Sequence, residues 1–163
     1  TCQLKNEPRS HHAQKRIVWG NVAGSVYDDG KKIKRLGKRN ETIKYVELDW
    51  GHRDDLAEKT QERYAEAVKE LMMKNNIEHC HLKTSLGLLY VATGQLDATL
   101  AIQCYPWDIL AACFLVEQNG GKVTNFDGTP WTINTKSAII AGDGEIHQLL
   151  LDVIKKNQLD KVK

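Results

Sequence analysis

Two stretches of this chain are apolar on nearly every side: TSLGLLYVATG, Thr84–Gly94, and DILAACFLVEQ, Asp108–Gln118. A helix without a polar face has to be covered all round, so both stretches predict helices inside a layered structure. Strand patterns lie between and beside them. Ile43–Leu48 alternates apolar and polar residues, Leu96–Ile102 is a short apolar run, and KVTNF and SAIIAG follow at Lys122–Phe126 and Ser137–Gly142. Interleaved helices and strands predict an α/β fold, a layered mixed β-sheet flanked by helices.

Two further helices are amphipathic. Asp54 is a suitable N-cap for one that runs to about Asn76. Tyr64, Ala67, Val68, Leu71 and Met72 form its stripe, and the charges around Glu58–Glu70 its solvated face. The last helix spans Glu145–Lys156, with Ile146, Leu149, Leu150, Val153 and Ile154 on one side and two terminal lysines that complement its dipole. Upstream, Asp29–Gly30 supplies a left-handed turn, so Val22–Leu36 reads as two antiparallel strands. Residues 1–14 read as an irregular lead-in to a single domain spanning 1–163.

Composition removes several function classes. A net charge of +2 requires neither nucleic acid nor an anionic membrane as partner. No run approaches the roughly 18 apolar residues of a membrane span, and the polar start resembles no signal peptide, so a cytoplasmic protein is expected. Cys2, Cys80, Cys104 and Cys113 contain no CxxC pair and read as free thiols. His79–Cys80–His81 alternates across a strand with no fourth ligand at a useful spacing, which argues against zinc. The four tryptophans read as packing residues, and Gly142–Gly144 as a strand-to-helix turn.

Asp108 is the residue with two readings. At a helix start an aspartate accepts hydrogen bonds from the first free N–H groups and is favoured by the dipole. The same position also suits a carboxylate that recruits Mg²⁺ beside a phosphate.

The segment WDILAACFLVEQNGGKVTNFDGTPW resembles the C-terminal signature of the inositol monophosphatase family. Trp107–Asp108, the small residues Ala111 and Ala112, an apolar helix, and Gly120–Gly121 leading into Val123 and Thr124 carry the likeness. YVATGQLDATLAI, NVAGSVYDDGKKIK and IIAGDGEIHQLLLDVI agree with it in order, over most of Val22–Ile154. The resemblance implies the C-terminal domain of that fold, in a Mg²⁺-dependent phosphomonoesterase using two or three metal ions. It implies that Asp108 is a metal ligand, that the substrate is a small phosphorylated molecule, and that the protein is a homodimer.

The departures qualify this. The family's upstream acid pair and its Asp-Pro-x-Asp-Gly-Thr type motif have no counterpart, and Asp28–Gly30 is only a poor likeness. The chain therefore resembles the second half of such an enzyme, with the N-terminal metal-binding half as a further partner. No catalytic residue is assigned within it, and little or no activity is expected from it alone. Leu82–Lys83 replaces a usual Gly-Ser before the helix at Thr84. Ala101 stands where inositol phosphatases often carry an acid that reads substrate hydroxyls, and Leu110 replaces a smaller residue. Lys83, Thr84 and Ala101 are the candidate substrate-binding positions; Lys83 reads either as an anion contact or as a solvated side chain. Inositol phosphate, another sugar phosphate, fructose bisphosphate and a nucleotide 3′-phosphate stay open as substrates. A noncatalytic domain of this fold, used for assembly or ligand binding, is the alternative.

Overall fold

Five short strands, β4 (Lys44–Asp49), β5 (Ile77–His79), β6 (Ala98–Ala101), β7 (Lys122–Asn125) and β8 (Ala138–Ala141), form one mixed sheet in the order β5-β4-β6-β8-β7. It follows the opening sheet of β1 (Val18–Asn21), β2 (Ser25–Asp28) and β3 (Lys31–Lys32). The computed structural model describes residues 16–34, 36–38, 42–50, 56–82 and 84–161.

β4 runs parallel to both β5 and β6, while β8 is antiparallel to β6 and β7. Side chains alternate across a strand, and the register carries that alternation from strand to strand. Val46, Leu48, Ala98, Leu100, Ile139 and Ala141 therefore share one face. They pack there against α1 (Glu58–Lys74) and α4 (Gly144–Lys156). Ala101, Ala138 and Ile140 belong to the other face, under α2 (Thr84–Ala92) and α3 (Pro106–Gln118). The result is the expected layered architecture with a covered central sheet. Leu88 and Val91 of α2 and Ile109 and Val116 of α3 are fully buried. Each such side chain contributes about 1.5–3 kcal/mol of burial.

The hairpin region differs from the expectation. The two antiparallel strands expected within Val22–Leu36 are β2 and β3, the second only two residues long, and an additional strand, β1, precedes them at Val18–Asn21. The Asp29–Gly30 turn is as expected, with positive φ at both residues (47° and 80°). The other half of the Asp28–Gly30 string is also structural. Arg16 Nε donates to Asp28 Oδ1 at 2.8 Å, a second Arg16 nitrogen contacts Oδ2, and the guanidinium holds Asp28 below the usual carboxylate range.

Two buried polar residues join the layers. Asn119, at the end of α3, donates from Nδ2 to Ala92 O at 3.1 Å and to Lys34 O at 3.3 Å. It thereby ties the segment after the hairpin to the end of α2. His147 of α4 is fully buried and meets Thr124 Oγ1 through Nε2 at 2.9 Å. Burial pulls its pKa down to about 4. Helix α1 is preceded by Ala57 with no side-chain cap; the Asp54 cap expected for it lies outside the described residues.

Candidate active site

Because β5, β4 and β6 are parallel, their carboxyl ends lie at one end of the sheet, and the chain leaves β5 and β6 there to enter α2 and α3. Two helix N-termini thus open beside the ends of three strands. Open α/β sheets place ligands at this end, and helix N-termini favour anions.

Asp108 sits in the first turn of α3, half-buried. It is not the cap. Tyr105 occupies the N-cap position in extended conformation, Pro106 begins the helix, and no side chain caps it. Asp108 N donates to Tyr105 O at 2.9 Å, and among the described residues its carboxylate accepts no hydrogen bond. The expectation that Asp108 caps its helix is therefore corrected. The helix starts two residues earlier, and Pro106, lacking an N–H, leaves one fewer donor to satisfy.

Ala101 ends β6 and is completely buried. Thr84 is the first residue of α2. Lys83 lies outside the described residues. The structure therefore brings Ala101, the start of α2 and Asp108 to the same end of the sheet.

Sequence reasoning missed three residues here. Asp49 ends β4 and is the register partner of Ala101, so its side chain leaves the same face. Cys104, in the link from β6 to α3, approaches Asp49 Oδ2 with its thiol at 3.6 Å. Burial first, then the negative charge of Asp49, pushes this thiol far above its ordinary range, with Asp108 and Glu47 adding to the effect. It is a protonated hydrogen-bond donor, not a nucleophile. Glu47 lies two residues before Asp49 on the same face. It is 1% exposed, and neither carboxylate oxygen has a hydrogen-bond partner among the described residues. Burial, reinforced by Asp49, raises its pKa to about 8; the Leu82 backbone N–H opposes this without reaching hydrogen-bond geometry. Thr99, its register partner, is likewise fully buried with an unpartnered Oγ1. Gly87 of α2 makes this packing possible, because a Cβ there would lie 1.5 Å from Glu47 Oε2. The signal was present in the alternation of Tyr45, Glu47 and Asp49, which places two acids on one strand face.

Other expectations fall outside this site. His79 and His81 meet edge to face at 5.9 Å, and among the described residues no group of three His, Cys, Asp or Glu is arranged to hold a metal. Trp107 does not pack into the core; it is 75% exposed and stacks on Tyr105 at 4.6 Å. A cavity of about 340 Å³ lies at the opposite end of the sheet between Lys34, Lys38, Asp97 and Asp143. Its volume does not make it the site, since Asp108 and Asp49 are at the other end.

The sequence profile of the inositol monophosphatase family matches residues 10–159. The chain belongs to the inositol monophosphatase family. It is 29% identical over 134 residues to inositol-1-monophosphatase ImpA of Mycolicibacterium smegmatis, covering 82% of this chain and 48% of that protein. It is 28% identical over 141 residues to the fructose-1,6-bisphosphatase/inositol-1-monophosphatase of Aquifex aeolicus, covering 86% and 51%. The chain spans about half the length of these curated relatives. Its fold matches the inositol monophosphate-bound SaIMPase-II with a TM-score of 0.71 at 20% identity, over 89% of this chain and 55% of that one. It matches the inositol monophosphatase of Anabaena at 0.70 and 23%, over 86% and 56%. Among the described residues no helix is long and apolar enough to cross a membrane.

Proposed function

We propose that this chain is the C-terminal part of a Mg²⁺-dependent phosphomonoesterase, acting on an inositol phosphate or a related sugar phosphate when complete. The observation that carries this reading is the Asp108 carboxylate. It stands at the first turn of α3, at the carboxyl end of the parallel strands, and does not cap its own helix. A hard oxygen donor left over from the hydrogen-bond network suits Mg²⁺, which takes one or two carboxylates and fills its octahedron with water and phosphate oxygens.

The fit is partial. Asp108 would hold one position on a metal ion, and the described residues supply no three-ligand group. The remaining ligands belong to the N-terminal half expected from the family, which is the principal partner in this reading. The chemistry such ions supply when bound is activation of water and neutralisation of charge on the phosphate and the leaving oxygen. The chain's own part is simpler. Asp108 orients one metal position, the N-terminus of α2 at Thr84 offers backbone N–H groups to an anion, and buried Ala101 leaves room without a polar contact. Cytoplasmic location and a homodimer complete the proposal.

Two observations favour the second reading, a noncatalytic domain used for assembly or ligand binding: the incomplete ligand set and Ala101. Mg²⁺-dependent phosphate binding by the purified chain, followed calorimetrically, separates the two. The active-site reading expects binding that Asp108→Asn weakens at least tenfold without lowering the melting temperature. Equal binding by both proteins, or none by either, supports the noncatalytic domain.

A further inference from the structure

We propose that Ser137 is a positioning residue for the Asp108 carboxylate, acting through a bulge in the chain between β6 and α3. The inference rests on the phosphatase reading above and names what aims the metal-facing acid.

The ladder between β6 and β8 ends irregularly. Its register runs from Ala98 opposite Ala141 to Ala101 opposite Ala138, and continued it sets Gln103 opposite Lys136. Yet the amide that donates to Lys136 O, at 2.7 Å, is that of Cys104. The chain leaving β6 has gained one residue over its partner strand, which is what defines a β-bulge. Gln103 holds the extra position with a φ of 50°. Glycine enters this left-handed region freely, whereas a residue with a Cβ enters it at a cost. Glutamine stays there only where its surroundings hold it.

Ser137 supplies that hold. Gln103 N donates to Ser137 Oγ at 3.1 Å, so a side-chain oxygen serves the amide of the inserted residue. The hydroxyl is itself firmly placed. Thr135, buried two residues earlier, donates from Oγ1 to Asn125 Oδ1 at 2.7 Å and accepts from Thr132 N at 2.8 Å. Its own N–H donates to Thr132 O at 3.0 Å. On the other side β8 begins at Ala138, fully buried between β6 and β7. Ser137 thus lies between a braced turn and a buried strand.

Beyond the bulge little freedom is left. Tyr105 is extended at the N-cap, the ring of Pro106 locks its φ, and Asp108 N donates to Tyr105 O at 2.9 Å. The first turn of α3 therefore moves as one piece with the link. The dihedral angles of Gln103 set where Asp108, the third residue of that helix, points. Bulges beside active sites re-aim side chains in this way. Without the Ser137 hydroxyl the Gln103 N–H loses this acceptor and the left-handed conformation loses a restraint. Relaxation of the bulge then turns the start of α3 and carries Asp108 with it.

Calorimetric titration of the purified chain with inorganic phosphate in the presence of Mg²⁺ tests this. Ser137→Ala should weaken binding about fivefold, the factor that corresponds to one ordinary hydrogen bond. Ser137→Thr keeps the hydroxyl and should bind like the parent. Gln103→Gly added to Ser137→Ala should restore binding, because glycine needs no restraint to be left-handed. A hydroxyl that touched the ligand, or that only stabilised the fold, would not be replaced by a glycine at 103. Unchanged binding in Ser137→Ala, or a loss that Gln103→Gly does not restore, overturns the role of Ser137 alone. Absence of phosphate binding in the parent overturns the phosphatase reading and that role with it. NMR of Ser137→Ala guards against a folding defect. The amide signals of Trp107 and Asp108 should shift while those of α4, on the other face of the sheet, stay in place. A spectrum altered throughout, α4 included, also overturns the proposal.

Discussion

Helices α3 and α4 both open beside an aspartate, on opposite faces of one sheet, and only one of those aspartates is a cap. Asp143 precedes α4 in extended conformation, and its Oδ1 accepts from Glu145 N at 2.8 Å and Ile146 N at 3.1 Å. Asp108 stands inside the first turn of α3, behind Tyr105 and Pro106, and its carboxylate is spent on no backbone donor among the described residues. The dipole stabilises an acid at either place, but the side chain reaches the free N–H groups only from the flanking position. An acid near a helix start is therefore a cap or a spare ligand according to its offset from the first turn, and a one- or two-residue shift decides which.

The same contrast runs through the layers to which these helices belong, and three experiments probe it. The largest effect is expected at Gly87, on the α2/α3 side. A Cβ placed 1.5 Å from Glu47 Oε2 must displace the glutamate or the helix. Gly87→Ala should cost about 3 kcal/mol or more in urea unfolding. Gly144→Ala, at the mouth of α4 with nothing within 4 Å, should stay within about 0.5 kcal/mol. Equal costs would dissolve the contrast.

Next comes the pH dependence set by Glu47. Its pKa is raised in the folded state to about 8 from 4.5. The folded protein thus holds a proton that the unfolded chain gives up, and the associated stability is full below about pH 4.5 and is lost as pH rises through 8. The loss follows from the linkage between proton binding and folding. Glu47→Gln keeps the shape and removes the titration, so its advantage over the parent should grow between pH 5 and pH 8.5 in thermal melts. A constant difference across that range would show that Glu47 does not carry the dependence.

The smallest effect sharpens the opening comparison most directly. Asp143→Ala should cost about 1 kcal/mol, the usual value of a lost cap. Asp108→Ala should cost less than about 0.5 kcal/mol. If chemical denaturation gives the two substitutions the same cost, Asp108 caps α3 in solution.

Much of the architecture was legible because it rests on local chemistry. The all-round apolar character of α2 and α3 required a covered sheet, and Asp29–Gly30 required a turn. Asp108 was singled out from its neighbours in order, not from its own position. The extra strand at Val18–Asn21 was not legible, because its side chains are mostly half-exposed and its pattern is weak. Asp49, Glu47 and Cys104 were missed for a different reason. Their significance comes from the pairing of β4 with β6 and from the approach of α2, contacts between residues 40–55 positions apart in the chain. Acids at alternate positions of one strand in an otherwise buried sheet were the available clue.

The fit of Glu47 against Gly87 also limits how this chain can change over time. A side chain at position 87 is admissible only after position 47 has lost its carboxylate, whereas a smaller residue at 47 can arrive first at little steric cost. Substitutions at the two positions are therefore ordered. A lineage that has kept glutamate at 47 remains bound to glycine in the middle of α2, and the direct path to a more helix-favouring residue there is closed until the strand changes.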